Sequence, residues 1–155
     1  MDHAHHDMTR PAGSWQTAIS ATLHCLTGCA IGEVLGMVLG TWWGWSDLAT
    51  IVLAVVLAFV FGYLLTFASV RRNGLSLAAA VRIALAADTV SIAVMEVLDN
   101  AFMLAVPGAM EAGLGDPLFW SALAAALVIA FVLTVPVNHW MIGRGKGHAV
   151  VHAMH

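Results

Sequence analysis

Charge is what this sequence has least of. Six basic and nine acidic residues are spread over 155 positions, so 10% of the chain is charged and 61% is hydrophobic. A soluble domain carries about 25% charged residues, and a chain with so few has too little polar surface to face water on all sides. The charges also gather in short connecting segments and leave long apolar runs between them, the pattern of an integral membrane protein. The net charge is -3, and the chain has no basic patch, which argues against a nucleic-acid partner. Cysteine is equally scarce: Cys25 and Cys29 are the only two. Two thiols one helical turn apart inside an apolar run are no disulfide framework. With no phosphate-binding loop and no nucleophile–base motif, nothing points to an enzyme. The opening stretch MDHAHHDMTRPAGSW lacks the apolar core and small-residue cleavage site of a secretory signal.

What is present is four apolar runs, predicting an all-α membrane protein with four transmembrane helices in an antiparallel bundle. They cover about 17–41, 47–69, 75–106 and 117–143, each near or above the ~20 residues that cross the hydrocarbon. Ser46 and Asp47 suit a helix cap, and Pro117 suits a first helical turn. The third run is longest and is expected to project beyond the bilayer or to tilt. Short connections (WWGWS, RRNG and PGAMEAGLGD) place successive helices side by side and antiparallel. Histidine-rich tails, 1–16 and 144–155, flank this 17–143 domain. No internal repeat supports an inverted-repeat transporter.

The basic residues Arg10, Arg71, Arg72, Arg82, Arg144 and Lys146 all fall on one side of these spans. The positive-inside rule makes that side cytoplasmic and puts both termini there. Trp42, Trp43, Trp45 and Trp120 then mark the outer interface, and Trp15 and Trp140 the inner one.

The first span carries two stripes with a four-residue period. Gly28, Gly32, Gly36 and Gly40 let another helix come close, which is packing and, in this reading, the face through which a homo-oligomer closes. Beside it run Cys25, Cys29, Glu33 and Met37, a single file on one helical face. Thiolates and thioethers are soft donors that suit Cu(I), whereas mixed cysteine, histidine and carboxylate sets suit Zn(II). The bland alternative for the cysteines is that they are small buried hydrophobes. Glu33 does not fit that alternative, because a carboxylate in mid-span costs a few kcal/mol unless paired or protonated. The third span adds Asp88, Met95, Glu96, Asp99 and Met103, and three acids in one span mark function rather than packing. In the fourth span Pro136 removes a backbone donor near His139.

Depth connects these residues. At a rise of 1.5 Å per residue, His24 lies roughly 10 Å from the cytoplasmic start, Asp88 about 10 to 15 Å and His139 about 5 to 8 Å. His24, Cys25, Cys29, Asp88 and His139 are therefore expected to form an inner metal site. Glu33, Glu96 and Asp99, with Met37, Met95 and Met103, are expected to line a deeper pathway. In the tails, His3, His5, His6, His148, His152 and His155 are candidates for metal capture. The pair His148 and His152 has helical spacing, and the amino-terminal Met1-Asp2-His3 suits square-planar Cu(II) or Ni(II). Such tracts also occur as merely solvated tails.

The stretches LHCLTGCAIGEVLGM and PVNHWMIGRGKGHAVVH resemble an uncharacterised family of small bacterial integral-membrane proteins with histidine-rich N-termini, DUF4396. The likeness runs from about Trp15 to His152. It implies a four-span protein of the bacterial inner membrane and brings no activity or catalytic residue with it. The functional expectation therefore rests on the residues: binding and translocation of a transition metal, copper first and zinc second. The partners are the lipid bilayer, a second copy of the chain and, at the cytoplasmic face, a metal chaperone or other membrane subunits. Two alternatives stay open. One is a haem protein with His24 and His139 as axial ligands. The other is proton-coupled or structural work, in which Glu33 and Glu96 share a proton.

Overall fold

The computed structural model describes residues 15–72 and 76–144. Four helices follow one another: α1 (Trp15–Trp43), α2 (Asp47–Arg72), α3 (Leu77–Ala105) and α4 (Pro117–Gly143). No strand occurs among the described residues. α1, the Asp47–Ala68 part of α2, and α4 are each long and apolar enough to cross a membrane. α3 does not join that class, because Asp88, Glu96 and Asp99 lower its apolar character. Those acids are nevertheless buried, while Leu85, Val90, Val97 and Leu104 are exposed. α3 is acidic inside and apolar outside, the reverse of a helix packed against a water-facing domain.

The ends of the helices follow from local chemistry. Gly44 takes a positive φ of 65°, a conformation that glycine adopts without a Cβ penalty. There the Trp45 N–H bonds back to the Gly40 carbonyl at 2.9 Å and closes α1. The Ser46 hydroxyl accepts from the Ala49 N–H at 3.5 Å at the start of α2. Asp116, in extended conformation, accepts from the Leu118 N–H at 2.8 Å, with Pro117 in the first turn of α4. All six tryptophans are exposed, Trp42, Trp43, Trp45 and Trp120 at one end of the bundle and Trp15 and Trp140 at the other. Arg144 lies over the Trp140 ring at 4.1 Å.

The glycine stripe packs within the chain. A Cβ on Gly28 would meet the Gly62 backbone at 2.7 Å, one on Gly32 the Ala58 nitrogen at 2.2 Å, and one on Gly36 the Ala54 Cα at 2.5 Å. At Gly40 it would strike the Thr50 side chain at 2.3 Å. Each step of four along α1 meets a step of four back along α2, an antiparallel seam of two backbones in contact. This corrects the expectation that the Gly28–Gly40 face closes an oligomer, because α2 of the same chain already covers it. The cysteine stripe is offset from the glycines by three residues, about 60° around the helix at 100° per residue. α1 can therefore hold α2 on one face and turn its thiols and Glu33 toward α3.

Candidate functional site

The seam between α1 and α3 holds the buried polar groups, and they fall into tiers because the two helices run parallel. In the inner tier the Cys25 thiol donates to Asp88 Oδ1 at 3.7 Å. Both residues are buried, and the Thr66 hydroxyl of α2 also bonds to the Asp88 carboxylate. One turn deeper, Cys29 faces Glu96. Another turn on, the Glu33 and Asp99 carboxyls face each other, with Glu96 beside both. Glu33 is only 5% exposed, and Glu96 and Asp99 are 4% exposed. Beyond the Cys29 thiol, which faces Glu96, no thiol, hydroxyl or amide donor reaches the Glu33 or Glu96 carboxyl.

A hydroxyl and amide network ties α4 into the inner tier. Ser91 of α3 donates to the side-chain carbonyl of Asn138 of α4. Asn138 donates through Nδ2 to Thr22 Oγ1 of α1 at 2.8 Å, and Thr22 donates to the Ala18 carbonyl at 2.7 Å. Every side chain in the relay is buried. Asn138 bridges two helices, so Asn138→Ala removes two interhelical bonds and leaves Ser91 facing a void. We expect a loss of about 1–3 kcal/mol, read as earlier thermal unfolding in detergent, against no measurable change for Ser121→Ala at the exposed start of α4.

The residues expected to form one inner metal site are only partly brought together. Cys25, Cys29 and Asp88 share the α1–α3 seam. His24 instead interacts with the Leu65 backbone of α2. His139 stacks on Trp15 with ring centroids 4.0 Å apart, and Trp15 stands nine residues before His24, about 13 Å along the helix. Among the described residues, no group of three histidine, cysteine or acidic side chains is placed to hold a metal ion. The five residues expected to share one inner metal site thus fall in three places, Cys25, Cys29 and Asp88 on the seam, His24 against α2 and His139 on Trp15.

The methionines divide. Met95 is buried in one core cluster with Cys25, Cys29, Ala58, Ile92 and Ala130. Met103 and Met37 lie in a second cluster with Met110, Phe102 and Phe119 toward the far end of the bundle. The tail candidates His3, His5, His6, His148, His152 and His155 lie outside the described residues.

Sequence reasoning missed two contributors. α2 carries no candidate site residue in the sequence reading, yet it supplies Thr66 to Asp88, and its Tyr63 hydroxyl pairs with Thr89 at 2.9 Å. Thr22 was equally inconspicuous, because a lone threonine in an apolar run usually satisfies its hydroxyl on its own helix. The available signal was the coincidence of depth between Thr22, Ser91 and Asn138.

No curated protein and no solved structure matches the chain. A family model described as a domain of unknown function (DUF4396) matches residues 14–147. That match takes in all four helices and every tier of the α1–α3 seam, and the chain therefore belongs to the DUF4396 family.

Proposed function

We propose that the protein is a four-span membrane protein that transfers protons along the α1–α3 seam. The observation that carries this reading is the Glu33 carboxyl, deeply buried, reached by no thiol, hydroxyl or amide donor and facing the Asp99 and Glu96 carboxyls. An ionised acid in hydrocarbon costs a few kcal/mol, and adjacent carboxylates cannot all be charged. A proton held between them is what allows Glu33, Asp99 and Glu96 to pack together. From there the side chains of Cys29, Asp88, Cys25, Ser91, Asn138 and Thr22 continue the polar file toward the Trp15 end. On the other side the file meets the apolar cluster around Met37, Met103 and Phe119. Such a constriction keeps out hydrated ions, so sodium and potassium do not follow.

In this reading α3 also crosses the bilayer, its acids turned inward and its valines and leucines to lipid. Arg71, Arg72, Arg82 and Arg144, the basic residues among those described, lie on the Trp15 and Trp140 side, which makes that side and both termini cytoplasmic in the bacterial inner membrane.

The test is flux. Full-length protein in liposomes carrying a trapped pH dye is given a potassium gradient and valinomycin to impose a membrane potential. Acidification faster than in protein-free liposomes, unchanged when external choline is exchanged for sodium at a fixed potassium gradient, is expected. A rate equal to that of protein-free liposomes would sink the proposal.

A further inference from the structure

The structure assigns a second ligand to the inner half of the bundle: we infer that Cys25, Cys29 and Met95 form a seat for one soft monovalent metal ion, Cu(I). It shares Cys25, Cys29, Asp88 and Glu96 with the proton reading but does not rest on it, since its donors are sulfur atoms and its binding is read without proton flux.

Three observations converge. Cys25 and Cys29 are free thiols, both buried, on the same face of α1 and one turn apart. Cβ atoms at that spacing stand about 5–6 Å apart. Two metal–sulfur bonds of about 2.3 Å placed in line span about 4.6 Å, so the two Sγ atoms can flank one ion without moving the helix. Met95 is buried in the same cluster, and its thioether is a neutral soft donor that adds a third contact. This donor set is sulfur alone, which selects Cu(I) over ions that prefer nitrogen and oxygen. It also explains how the seat can lie among residues that provide no cluster of three histidine, cysteine or acidic groups.

Each thiol already faces a carboxyl: Cys25 donates to Asp88, and Cys29 lies against Glu96. On binding, the Cys25 S–H bond breaks and its proton passes to the Asp88 carboxylate, while the Cys29 proton passes to the Glu96 carboxylate. Two sulfur–copper bonds form, copper stays Cu(I), and the tier gains only the single positive charge of the ion. No oxidant or reductant takes part. Asp88 and Glu96 are thus placed to take the thiol protons as the sulfur–copper bonds form, since a buried thiolate without the ion would be too costly.

The experiment is anaerobic competition for Cu(I) with a chromophoric chelator, using full-length protein in which the six tail histidines are replaced by alanine. One Cu(I) per chain is expected. Cys25→Ser with Cys29→Ser lowers the affinity by about 100-fold or more, and Met95→Leu and Asp88→Asn each lower it by about 10-fold, the scale on which supporting groups act at metal sites. Proton flux in metal-free liposomes is a separate readout from Cu(I) binding, so failure of the proton reading and failure of this one are told apart. X-ray absorption on the copper-loaded parent protein shows sulfur neighbours only and does not depend on any variant folding. Equal affinity in the folded double-serine variant, or a nitrogen and oxygen coordination shell, would overturn the assignment.

Discussion

Replacing Glu33 with glutamine is expected to abolish proton transfer and to leave the protein at least as stable as before. Glutamine has nearly the shape of glutamic acid, so the buried site is refilled without a cavity. The difference is in the hydrogens. The acid tier contains acceptors that receive no protein donor, whereas the glutamine amide brings two N–H groups that can reach the Asp99 and Glu96 carboxyls. Satisfying a buried acceptor recovers about 1–3 kcal/mol, and the melting temperature in detergent should stay level or rise. Transfer moves the other way, because an amide cannot give up or accept a proton at neutral pH. Removing a positioned acid–base group slows proton transfer by about 100-fold or more, which would bring the liposome signal to the protein-free level. Asp99→Asn should do the same. The double variant should be no slower than either single one, since both break one link of a series. A Glu33→Gln protein that melts higher and still carries protons at the parent rate would show that Glu33 is structural. One that loses transport only because it unfolds would fail the stability half of the prediction.

The parts of this fold that were legible in the sequence are those set by local chemistry. The helix bounds follow from apolar run length and from Ser46, Asp116 and Pro117, which act within three residues of where they stand. Helical geometry alone put Cys25, Cys29 and Glu33 in one file, and counting residues by depth put Asp88 with the cysteines and Glu96 and Asp99 with Glu33, whereas Cys29 lies against Glu96. What depth does not carry is azimuth. His24 is adjacent to Cys25 in sequence but about 100° away around the helix, so it faces α2 and the Leu65 backbone, not Asp88. His139 shares a depth range with the inner tier on paper, yet it ends on the Trp15 ring. Met95 and Met103 were read as one set, and the structure divides them between two clusters. The glycine stripe showed plainly that a helix would come close, but which helix depends on the loop that folds α2 back, and periodicity says nothing about that. α3 shows the converse case: three acids keep it out of the class of apolar spans, and only its burial pattern separates the acidic inner face from the apolar outer one.

The largest loss of stability should come from Gly32→Ala, a change of one methyl group. Its Cβ would sit 2.2 Å from the Ala58 nitrogen, 2.4 Å from the Ala58 Cα and 2.7 Å from the Leu57 carbonyl carbon. All three are backbone atoms, so no side-chain rotation relieves the contact and α2 must move as a body. Overpacking typically costs 1–3 kcal/mol, and a clash between two backbones belongs at or above about 3 kcal/mol. The damage does not stay local, because α2 also carries Thr66 to Asp88 and Tyr63 to Thr89, and both contacts are displaced with it. Other glycines grade the prediction. A Cβ on Gly62 meets chiefly the end of the Ile92 side chain, which can turn away, and one on Gly113 meets nothing within 4 Å. The expected order of melting temperatures is therefore Gly113→Ala, level with the parent, then Gly62→Ala, then Gly32→Ala far below. A second-site test separates a backbone clash from a side-chain one. Adding Ala58→Gly removes the Ala58 methyl but not its nitrogen or Cα, so it should fail to rescue Gly32→Ala. At Gly36 the Ala54 Cβ is itself one of the colliding atoms, at 2.6 Å, so Ala54→Gly should partly rescue Gly36→Ala. Full recovery of Gly32→Ala by Ala58→Gly, or a Gly32→Ala protein as stable as Gly113→Ala, would mean that α1 and α2 are not in backbone contact at that point.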